Sequence, residues 1–381
     1  MMYKLLFTGG HHNSALAIVK WLSINEKNIK IEWVGDQIPS DCVVYPEYKE
    51  VSDLNIPYHR IIAGKIFRFS NPIYLPKAIL SFLKIPIGFF QAFYLLLTNR
   101  PDLIVSFGGF IAVPVVVSGK LLGIKSVTHE QTVVLGFANS IIARFVDSIY
   151  VSWPISLYSA KDSIKNKMVY AGLPIDIDGL RTVERFGFKN NLRTIYVTGG
   201  KKGSLTINEC ILSNLEFLVS NFNIIWSCGD TKGKFDFENI SFAIDKLEEK
   251  LKSRILLKEY FFKSEISTVF NTCDFVISRS GAHTVYELAI LEKPCILIPI
   301  PWSSNDEQKK NAELLVKVGL GEIIEESELL KQDFRDKVVD FSDKLEKRKN
   351  GVRLDELGDI VTEKGQENLG NEIVKILKAE S

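Results

Sequence analysis

The sequence predicts an α/β protein built from two doubly wound, Rossmann-like domains that face a cleft. Three observations support this prediction. Short β-rich apolar runs alternate with helical patterns along most of the 381 residues, as expected for parallel sheets built from βαβ units. Each half opens with a strand that leads to a glycine pair, Gly9-Gly10 and then Gly199-Gly200. One strand–turn–helix–strand layout occurs in both halves.

The predicted strands are the short runs rich in β-branched and aromatic residues. In the first half they are Tyr3–Phe7, Ile31–Gly35, Leu103–Phe107, Lys125–His129 and Ser148–Ser152. In the second half they are Thr194–Thr198, Asn223–Gly229, Asp274–Ser278 and Cys295–Ile300.

The repeated layout is an aspartate, a strand, a glycine turn, a helix of about three turns and a second strand. It begins at Asp102 in "DLIVSFGGFIAVPVVVSGKLLGIKSVTHE" and at Asp274 in "DFVISRSGAHTVYELAILEKPCILIPI". We place the linker within "AGLPIDIDGL", which predicts domains over 1–174 and 175–364 and a C-terminal helix over 365–381 that packs back on the first domain. Because ligands of doubly wound sheets bind beyond the carboxyl ends of the strands, the cleft between the domains is the predicted site.

The composition, 46% hydrophobic and 24% charged, is that of a globular protein and disfavours a disordered, collagen-like or disulfide-rich chain. Five scattered cysteines indicate buried, reduced thiols and a cytoplasmic protein. No signal peptide opens the sequence, and no run reaches the roughly 20 apolar residues that a membrane span needs. The charged stretch from Glu322 to Lys364 is predicted to be a solvated face with loops.

A basic, aromatic stretch over residues 60–100 stands out because no Asp or Glu occurs from Leu54 to Pro101. Such a stretch suits a surface that contacts anionic lipid headgroups. A buried core helix over Ile85–Leu97, flanked by basic loops, is the alternative. No nucleic-acid motif accompanies the stretch, so we expect no nucleic-acid partner.

The segment "FTGGHHNSALAIVKWL" places a glycine turn directly before a helix. Free backbone amides and the positive end of the helix dipole make such a turn a natural anion site. The spacing matches neither a P-loop nor the dinucleotide fingerprint. His11 has the right type and place for a general base near neutral pH, although a histidine there also suits a cap or a surface position.

A second helix start lies in "RSGAHTVYELA", residues 279–289, and it has two interpretations. Thr284 and Glu287 fit a capping box, which would need no ligand. Alternatively, the turn binds a phosphate and Glu287, one turn into the helix, accepts hydrogen bonds from a ribose diol. Downstream, Gln308 and Asn311 lie one turn apart near another helix start and suit sugar hydroxyls.

The sequence resembles the MurG-type transferases of peptidoglycan synthesis. The motifs that carry the resemblance occur in that family's order and spacing over roughly Tyr3 to Gly321; they are "TGGHHNSALA", "SFGGFIAVP", "THEQTVVLGFAN", "YVTGGKKGSLTIN", "SRSGAHTVYELA" and "DEQKKNAELL". The resemblance implies the GT-B fold and transfer of N-acetylglucosamine from UDP-GlcNAc to a polyprenyl-diphosphate-linked muramoyl-pentapeptide on the cytoplasmic membrane face. It implies neither a metal nor a cofactor.

The resemblance also implies roles for individual residues. His11 is the base. Glu287 holds the ribose, Phe262 and Lys263 lie at the uracil edge, and Gln308 and Asn311 approach the donor sugar. The implied donor-binding residues are Thr8, Gly9, Gly10, Gly199, Gly200, Lys201, Phe262, Lys263, Arg279, Ser280, Gly281, Ala282, His283, Thr284, Glu287, Gln308 and Asn311. The implied acceptor-side residues are Gly108, Gly109, His129, Glu130, Gln131 and Asn139.

Several positions depart from the family pattern. Thr132 stands where the family's "HEQN" has an amide, and Lys201 and Lys202 replace the usual Ser and Gln of "GGSQGA". Asp176 takes the place of a linker arginine, and Phe7 that of the first glycine in the N-terminal loop. None of these departures lies in the donor-side segment from Arg279 to Glu287.

The predicted reaction is an inverting displacement in which His11 deprotonates the acceptor hydroxyl, and helix N-termini, Arg279 and Lys201 meet the charge of the leaving UDP. Three alternatives stay open. The protein transfers a sugar to another polyprenyl-linked acceptor, it is a UDP-GlcNAc 2-epimerase, or it is a noncatalytic UDP-sugar-binding membrane protein.

Overall fold

The computed structural model describes residues 2–36, 46–64, 75–200, 202–231, 235–329 and 333–379. The chain forms two compact units. Unit 1 comprises Met1–Ile175 together with Thr362–Ser381, and unit 2 comprises Asp176–Val361. Unit 1 is therefore built from both ends of the chain.

Unit 1 contains a parallel sheet whose described strands follow the order β3-β2-β1-β4-β5-β6-β7. The strands are β1 (Tyr3–Thr8), β2 (Ile29–Asp36), β3 (Tyr58–Ile61), β4 (Leu103–Ser106), β5 (Ser126–Glu130), β6 (Ser148–Val151) and β7 (Met168–Tyr170). Its helices are α1 (His12–Asn25), α2 (Pro46–Asp53), α3 (Leu75–Asn99), α4 (Ala112–Leu121), α5 (Phe137–Ile142), α6 (Asp162–Lys165) and the C-terminal α17 (Gly365–Lys378).

Unit 2 contains a second parallel sheet, with the order β10-β9-β8-β11-β12-β13 among its described strands. The strands are β8 (Thr194–Thr198), β9 (Asn223–Ser227), β10 (Ile255–Lys258), β11 (Phe275–Ser278), β12 (Cys295–Leu297) and β13 (Gly321–Ile323). The helices are α7 (Leu205–Ser213), α8 (Leu215–Asn221), α9 (Phe237–Asp245), α10 (Glu249–Lys252), α11 (Lys263–Thr272), α12 (Ala282–Ile290), α13 (Glu307–Lys317), α14 (Phe334–Asp343), α15 (Leu345–Gly351) and α16 (Leu354–Ile360).

The two sheets share one topology, because each unit places its first strand beside its fourth. The chain reverses its direction of winding between β1 and β4 in unit 1 and between β8 and β11 in unit 2. Ligands of open α/β sheets bind at this switch point, beyond the carboxyl ends of the strands. The predicted doubly wound architecture is confirmed, and the predicted glycine motifs follow these central strands.

The repeated layout has a structural reason in its leading aspartate. Asp102 accepts the backbone N–H of Lys4 at 2.7 Å, and Asp274 accepts that of Thr194 at the same distance. The backbone N–H of each aspartate in turn donates to the carbonyl of the same partner residue. In both units this residue therefore ties the start of the fourth strand to the start of the first.

Helix α3 has one buried face and one exposed apolar face. Ala92 and Leu96 are fully buried, and the helix packs along α4. On the opposite face Phe82, Phe90 and Tyr94 are 67%, 78% and 69% exposed. The alternative of a buried core helix is therefore wrong for this outward face.

Part of α3 resembles a membrane span by length and composition. Within the described residues, Ser81–Asn99 is long and apolar enough to cross a bilayer, with 22% of that window buried in the protein. The sequence expectation rested on an uninterrupted apolar run, which this helix lacks because polar residues interrupt it. The same helix supplies part of the packing of unit 1.

The C-terminal helix α17 completes the core of unit 1. Leu369, Ile373 and Leu377 belong to the same apolar cluster as the central strands. The Gln366 amide donates to the carbonyl of Ala17 on α1 at 2.6 Å. The last turns of the chain therefore cover the sheet formed by its first residues.

Close packing of α17 against α1 makes Gly370 intolerant of a side chain. A Cβ atom there would lie 2.3 Å from the Trp21 ring. We expect Gly370→Ala to lower the free energy of unfolding by about 1–3 kcal/mol, the usual cost of overpacking. Gly358→Ala on α16, where the Cβ would meet open space, is the matched control and should gain up to about 1 kcal/mol in helix propensity. Thermal and urea unfolding of both variants measures the difference; similar gains in both would contradict the packing described here.

Candidate active site

In unit 1 the loops that follow β1 and β4 are in backbone contact. The Gly10 N–H donates to the Gly108 carbonyl at 3.0 Å. Gly9 has φ of +139°, and a Cβ there would lie 2.8 Å from the Gly108 carbonyl oxygen. Gly109, with φ of +78°, is equally close to Gly10. Glycine is required here because two loops meet where no side chain fits.

His11 is the N-cap residue of α1, and no side chain caps this helix end. Desolvation, and then the charge of the neighbouring His12, lowers the pKa of the imidazole. The residue as a whole is nonetheless exposed to solvent. A neutral, accessible imidazole at pH 7 is the form in which a histidine accepts a proton.

Glu130 organises the acceptor-side segment. Its carboxylate accepts four hydrogen bonds, from the backbone and hydroxyl of Thr132, from the Gly136 N–H and from the Asn139 amide. Burial raises the pKa of Glu130, and these donors oppose the rise. Asn139 also lies against Gly108, where a Cβ would come within 2.9 Å of its amide nitrogen. The segment and the second glycine loop therefore form one closely packed cluster.

Thr132, which departs from the family pattern, has a defined role in this cluster. Its hydroxyl lies 3.0 Å from the Glu130 carboxylate and also contacts the carbonyl of Val134. Gln131 is buried, and its backbone carbonyl accepts the Trp153 indole N–H at 3.0 Å. In unit 1 the Thr132 and Trp153 side chains therefore hold the acceptor-side loop in its conformation.

His129 is buried at the carboxyl end of β5. Its Nε2 atom lies 3.1 Å from the Gly172 carbonyl and its ring lies beside Phe107. Burial lowers the pKa of His129 to about 4. The imidazole is therefore neutral at pH 7.

In unit 2 the glycine turn after β8 is closely packed at Gly199 and faces open space at Gly200. A Cβ at Gly199 would lie 2.2 Å from the backbone nitrogen of Ser204. Gly200 has φ of +83° and faces open space. Ser204 then caps α7 by accepting the Ile207 N–H. Lys201, which the resemblance places in this turn, lies outside the described residues.

The helix start after β11 differs from the capping-box interpretation. Gly281 is the N-cap of α12, so Ala282, His283 and Thr284 form its first turn, and no side chain caps this end. The capping-box alternative is wrong because the helix begins before Thr284. A Cβ at Gly281 would meet open space, and Glu287 is half-buried about one turn further on. The first-turn amides therefore point out of an uncapped helix end beside open space.

Several polar residues of this region are buried behind the turn. Arg279 is 8% exposed and Ser280 and Asn311 are 0% and 1% exposed. The Asn311 amide donates to the Ser280 carbonyl at 3.1 Å, and Gln308 accepts the Ile300 N–H through its side-chain oxygen at 3.1 Å. These contacts hold the turn, the start of α13 and the segment after β12 together.

The uracil-edge pair lies at the start of α11, where Phe262 is the N-cap. Its N–H donates to the Glu265 carboxylate at 3.1 Å, and its ring is 66% exposed and meets Tyr260 edge-on. Lys263 opens the helix. The backbone at this position is therefore fixed while the aromatic face stays accessible.

Glu326 is a residue of this region that the sequence did not single out. It lies 2.6 Å from Arg279 and accepts the Thr206 hydroxyl at 2.8 Å. It belongs to the charged stretch that was predicted to be a solvated face, and that prediction is wrong at this residue because its side chain is only 13% exposed. No spacing in "EESE" distinguishes it from Glu325 and Glu328, whose side chains are 46% and 33% exposed.

Two units, each with a doubly wound parallel sheet and a glycine loop at its switch point, form the architecture of GT-B glycosyltransferases. The N-terminal domain of glycosyltransferase family 28 matches residues 8–151, and the C-terminal domain of the same family matches residues 194–354. The chain therefore belongs to glycosyltransferase family 28, in the group of MurG-type transferases that its motifs resemble.

Relatives from two clostridia span nearly the same length. The UDP-N-acetylglucosamine--N-acetylmuramyl-(pentapeptide) pyrophosphoryl-undecaprenol N-acetylglucosamine transferase of Clostridium perfringens (strain 13 / Type A) is 31% identical over 99% of this chain and 98% of its own length. The enzyme of the same name from Clostridium botulinum (strain Alaska E43 / Type E3) is 31% identical over 89% of this chain and 90% of its own.

Solved structures share the fold at lower identity. The crystal structure of Acinetobacter baumannii MurG has a TM-score of 0.69 at 20% identity, covering 98% of this chain and 99% of that one. A UDP-GlcNAc 2-epimerase of Methanocaldococcus jannaschii, in complex with UDP-GlcNAc and UDP, has a TM-score of 0.61 at 15% identity, covering 99% of this chain and 100% of that one. At these identities the likeness concerns the fold alone.

The buried, neutral His129 makes stability depend on pH. The unfolded chain takes up a proton at this histidine near pH 6.5, whereas the folded chain does so only near pH 4. We therefore expect stability to fall as the pH drops from about 7.5 to 4, by about 3 kcal/mol from this group.

Urea unfolding of His129→Gln at pH 7.5, 6 and 5 isolates this contribution. Glutamine keeps a side-chain donor for Gly172 but does not titrate, and Glu130 contributes equally to both proteins. The variant should therefore lose less stability than the wild type on acidification. Parallel pH dependences of the two proteins would contradict the assignment.

Proposed function

We propose that this protein transfers N-acetylglucosamine from UDP-GlcNAc to polyprenyl-diphosphate-linked muramoyl-pentapeptide with inversion at the anomeric carbon. The observation that carries the proposal is the uncapped start of α12 after β11, with Glu287 one turn inside the helix. The full-length relatives at 31% identity, which are named for this reaction, support the choice of donor and acceptor. The same arrangement explains why an acid lies close to an anion site.

On the donor side we propose that the diphosphate binds at the glycine turn after β8 and at the first turn of α12. Gly200 and Gly281 both face open space, so the backbone can approach a ligand closely. Backbone amides and the helix dipole favour the negative charge that develops on the departing UDP. Glu287 would then accept hydrogen bonds from the ribose, and the backbone near Phe262 would bind the uracil edge.

On the acceptor side we propose that His11 removes the proton from the attacking hydroxyl. It lies at the switch point of unit 1, the residue is exposed to solvent, and its lowered pKa keeps it neutral at pH 7. Glu130 would keep the acceptor segment in shape through its four hydrogen bonds rather than react. In this proposal Thr132, which stands where the family has an amide, is one of the partners of Glu130.

We further propose that unit 1 docks on the cytoplasmic face of the cell membrane through α3, which would lie in the plane of the bilayer. Its outward face exposes Phe82, Phe90 and Tyr94. Beside it lies a cavity of about 710 Å³ whose lining includes Arg60 and Tyr94, with the Arg60 guanidinium 4.7 Å from the centre of the Tyr48 ring. Apolar side chains flanked by cations suit an anionic lipid surface, where the acceptor's lipid is held.

Transfer of radiolabel from UDP-GlcNAc to lipid I tests the reaction and its base together. We expect wild-type protein to form labelled lipid II without added metal. His11→Ala should lower kcat by about 10²- to 10⁴-fold, the usual worth of a general base, and should leave UDP affinity unchanged because in this proposal the UDP part of the donor binds to unit 2.

Glu287→Ala is the complementary control, since it should raise the donor KM and leave the acceptor KM unchanged.

Product analysis without acceptor separates the alternatives. Formation of UDP-ManNAc would indicate an epimerase, and UDP binding with neither epimerisation nor transfer would indicate a noncatalytic protein. Near wild-type turnover by His11→Ala would disprove the assigned base.

Exposed aromatic residues on α3 should contribute directly to membrane binding. We expect Phe90→Ser to weaken co-sedimentation with vesicles containing phosphatidylglycerol by about tenfold or more, because inserting a phenylalanine is worth about 1.5–3 kcal/mol. Phe242→Ser on α9 of unit 2 is the matched control, since that ring is 64% exposed. Equal binding by both variants would disprove the docking face.

A further inference from the structure

The Arg279 side chain contacts the segments that follow two other strands of the unit 2 sheet. Its guanidinium lies 3.1 Å from the Ile298 carbonyl, after β12, and 2.8 Å from the Ser204 hydroxyl, at the end of the turn after β8. Arg279 itself follows β11, which lies between those two strands in the sheet. One buried cation therefore links the carboxyl ends of three adjacent strands.

Glu326 extends this link to one more strand of the sheet, β13. It follows β13, the next strand in the sheet, and its carboxylate lies 2.6 Å from the Arg279 guanidinium. Its other oxygen accepts the Thr206 hydroxyl at 2.8 Å, on the first turn of α7. The acid therefore neutralises a cation that is 8% exposed and also holds the helix that the Ser204 hydroxyl caps.

These contacts leave the guanidinium directed into the protein. The Nε atom of Arg279 is buried as well and has no hydrogen-bond partner among the described residues. A buried cation with a counter-ion in close contact is suited to fix geometry, whereas a ligand contact requires access. Direct contact with the leaving diphosphate, as the family resemblance implied, is not what this geometry favours.

We propose that Arg279 and Glu326 form a positioning pair that sets the spacing between the glycine turn after β8 and the helix start after β11. The inference rests on the proposed function, in which these two segments bind the UDP diphosphate. The pair acts on donor affinity through the backbone of both segments. It does not act on the acceptor or on proton transfer.

Glu326→Gln is the primary test, because it removes the negative charge and keeps the shape of the side chain. An unpaired buried cation disturbs its surroundings, and small displacements of binding groups cost much affinity. We expect the Kd for UDP, measured by calorimetry, and the donor KM to rise by at least about tenfold, with kcat changed less than about threefold. Glu325→Gln is the matched control, because the adjacent Glu325 pairs with Lys309 at the surface and should leave both constants unchanged.

The double variant Arg279→Met, Glu326→Leu separates positioning from simple stability. Replacing a buried ion pair by apolar residues often preserves folding, so its Tm should recover relative to Glu326→Gln. We expect its UDP affinity to stay low, because the links to Ser204 and Ile298 are gone.

Three outcomes would overturn the inference. These are full recovery of UDP affinity in the double variant, unchanged UDP affinity in Glu326→Gln, or a loss confined to kcat in Glu326→Gln. Failure of the wild-type protein to bind UDP would instead count against the proposed function.

Discussion

Parallel sheets use nearly all backbone groups of their strands in the ladder, so free amides occur mainly where strands end. In both units the chain reverses its winding beside the first strand, which brings two loops to one place. At that point in unit 1, Gly9 and the Phe107–Gly109 segment are so close that a Cβ would overlap backbone atoms. The rest of the structure depends on this close approach, because it holds His11 and the acceptor-side loop at the carboxyl ends of the central strands.

The residues at and behind the two turns of unit 2 fall into two groups. A ligand can reach the first group, and the second group shapes the surface that the ligand meets. Gly200 and Gly281 face open space, whereas Arg279, Ser280 and Asn311 are buried directly behind them. Recognition of a diphosphate would therefore depend mainly on backbone amides. Such a surface tolerates changes of side chain at its exposed positions better than changes behind it.

The central strands could be predicted from the sequence and the edge strands could not. Every strand that was predicted forms, whereas β3, β7, β10 and β13 were missed, and each is an outermost strand of its sheet. Central strands are buried on both faces and give continuous apolar runs, but an edge strand such as β10 is only partly buried along its length. Glu326 was missed for a related reason, since burial of one acid within a charged stretch depends on a partner 47 positions away in the chain, Arg279. The capping-box interpretation put the cap of α12 at Thr284 rather than at Gly281, because a glycine has no capping side chain that the sequence could reveal.

Unit 1 is assembled from the first and the last residues of the chain, and α17 supplies Leu369, Ile373 and Leu377 to its core. During synthesis all of unit 2 therefore leaves the ribosome before unit 1 has its full set of core residues. Until then, the face of the first sheet that α17 will cover stays exposed. A premature stop shortly before α17 would therefore damage the N-terminal half of the molecule, and unit 2, although nearer to the truncation, would keep its core intact.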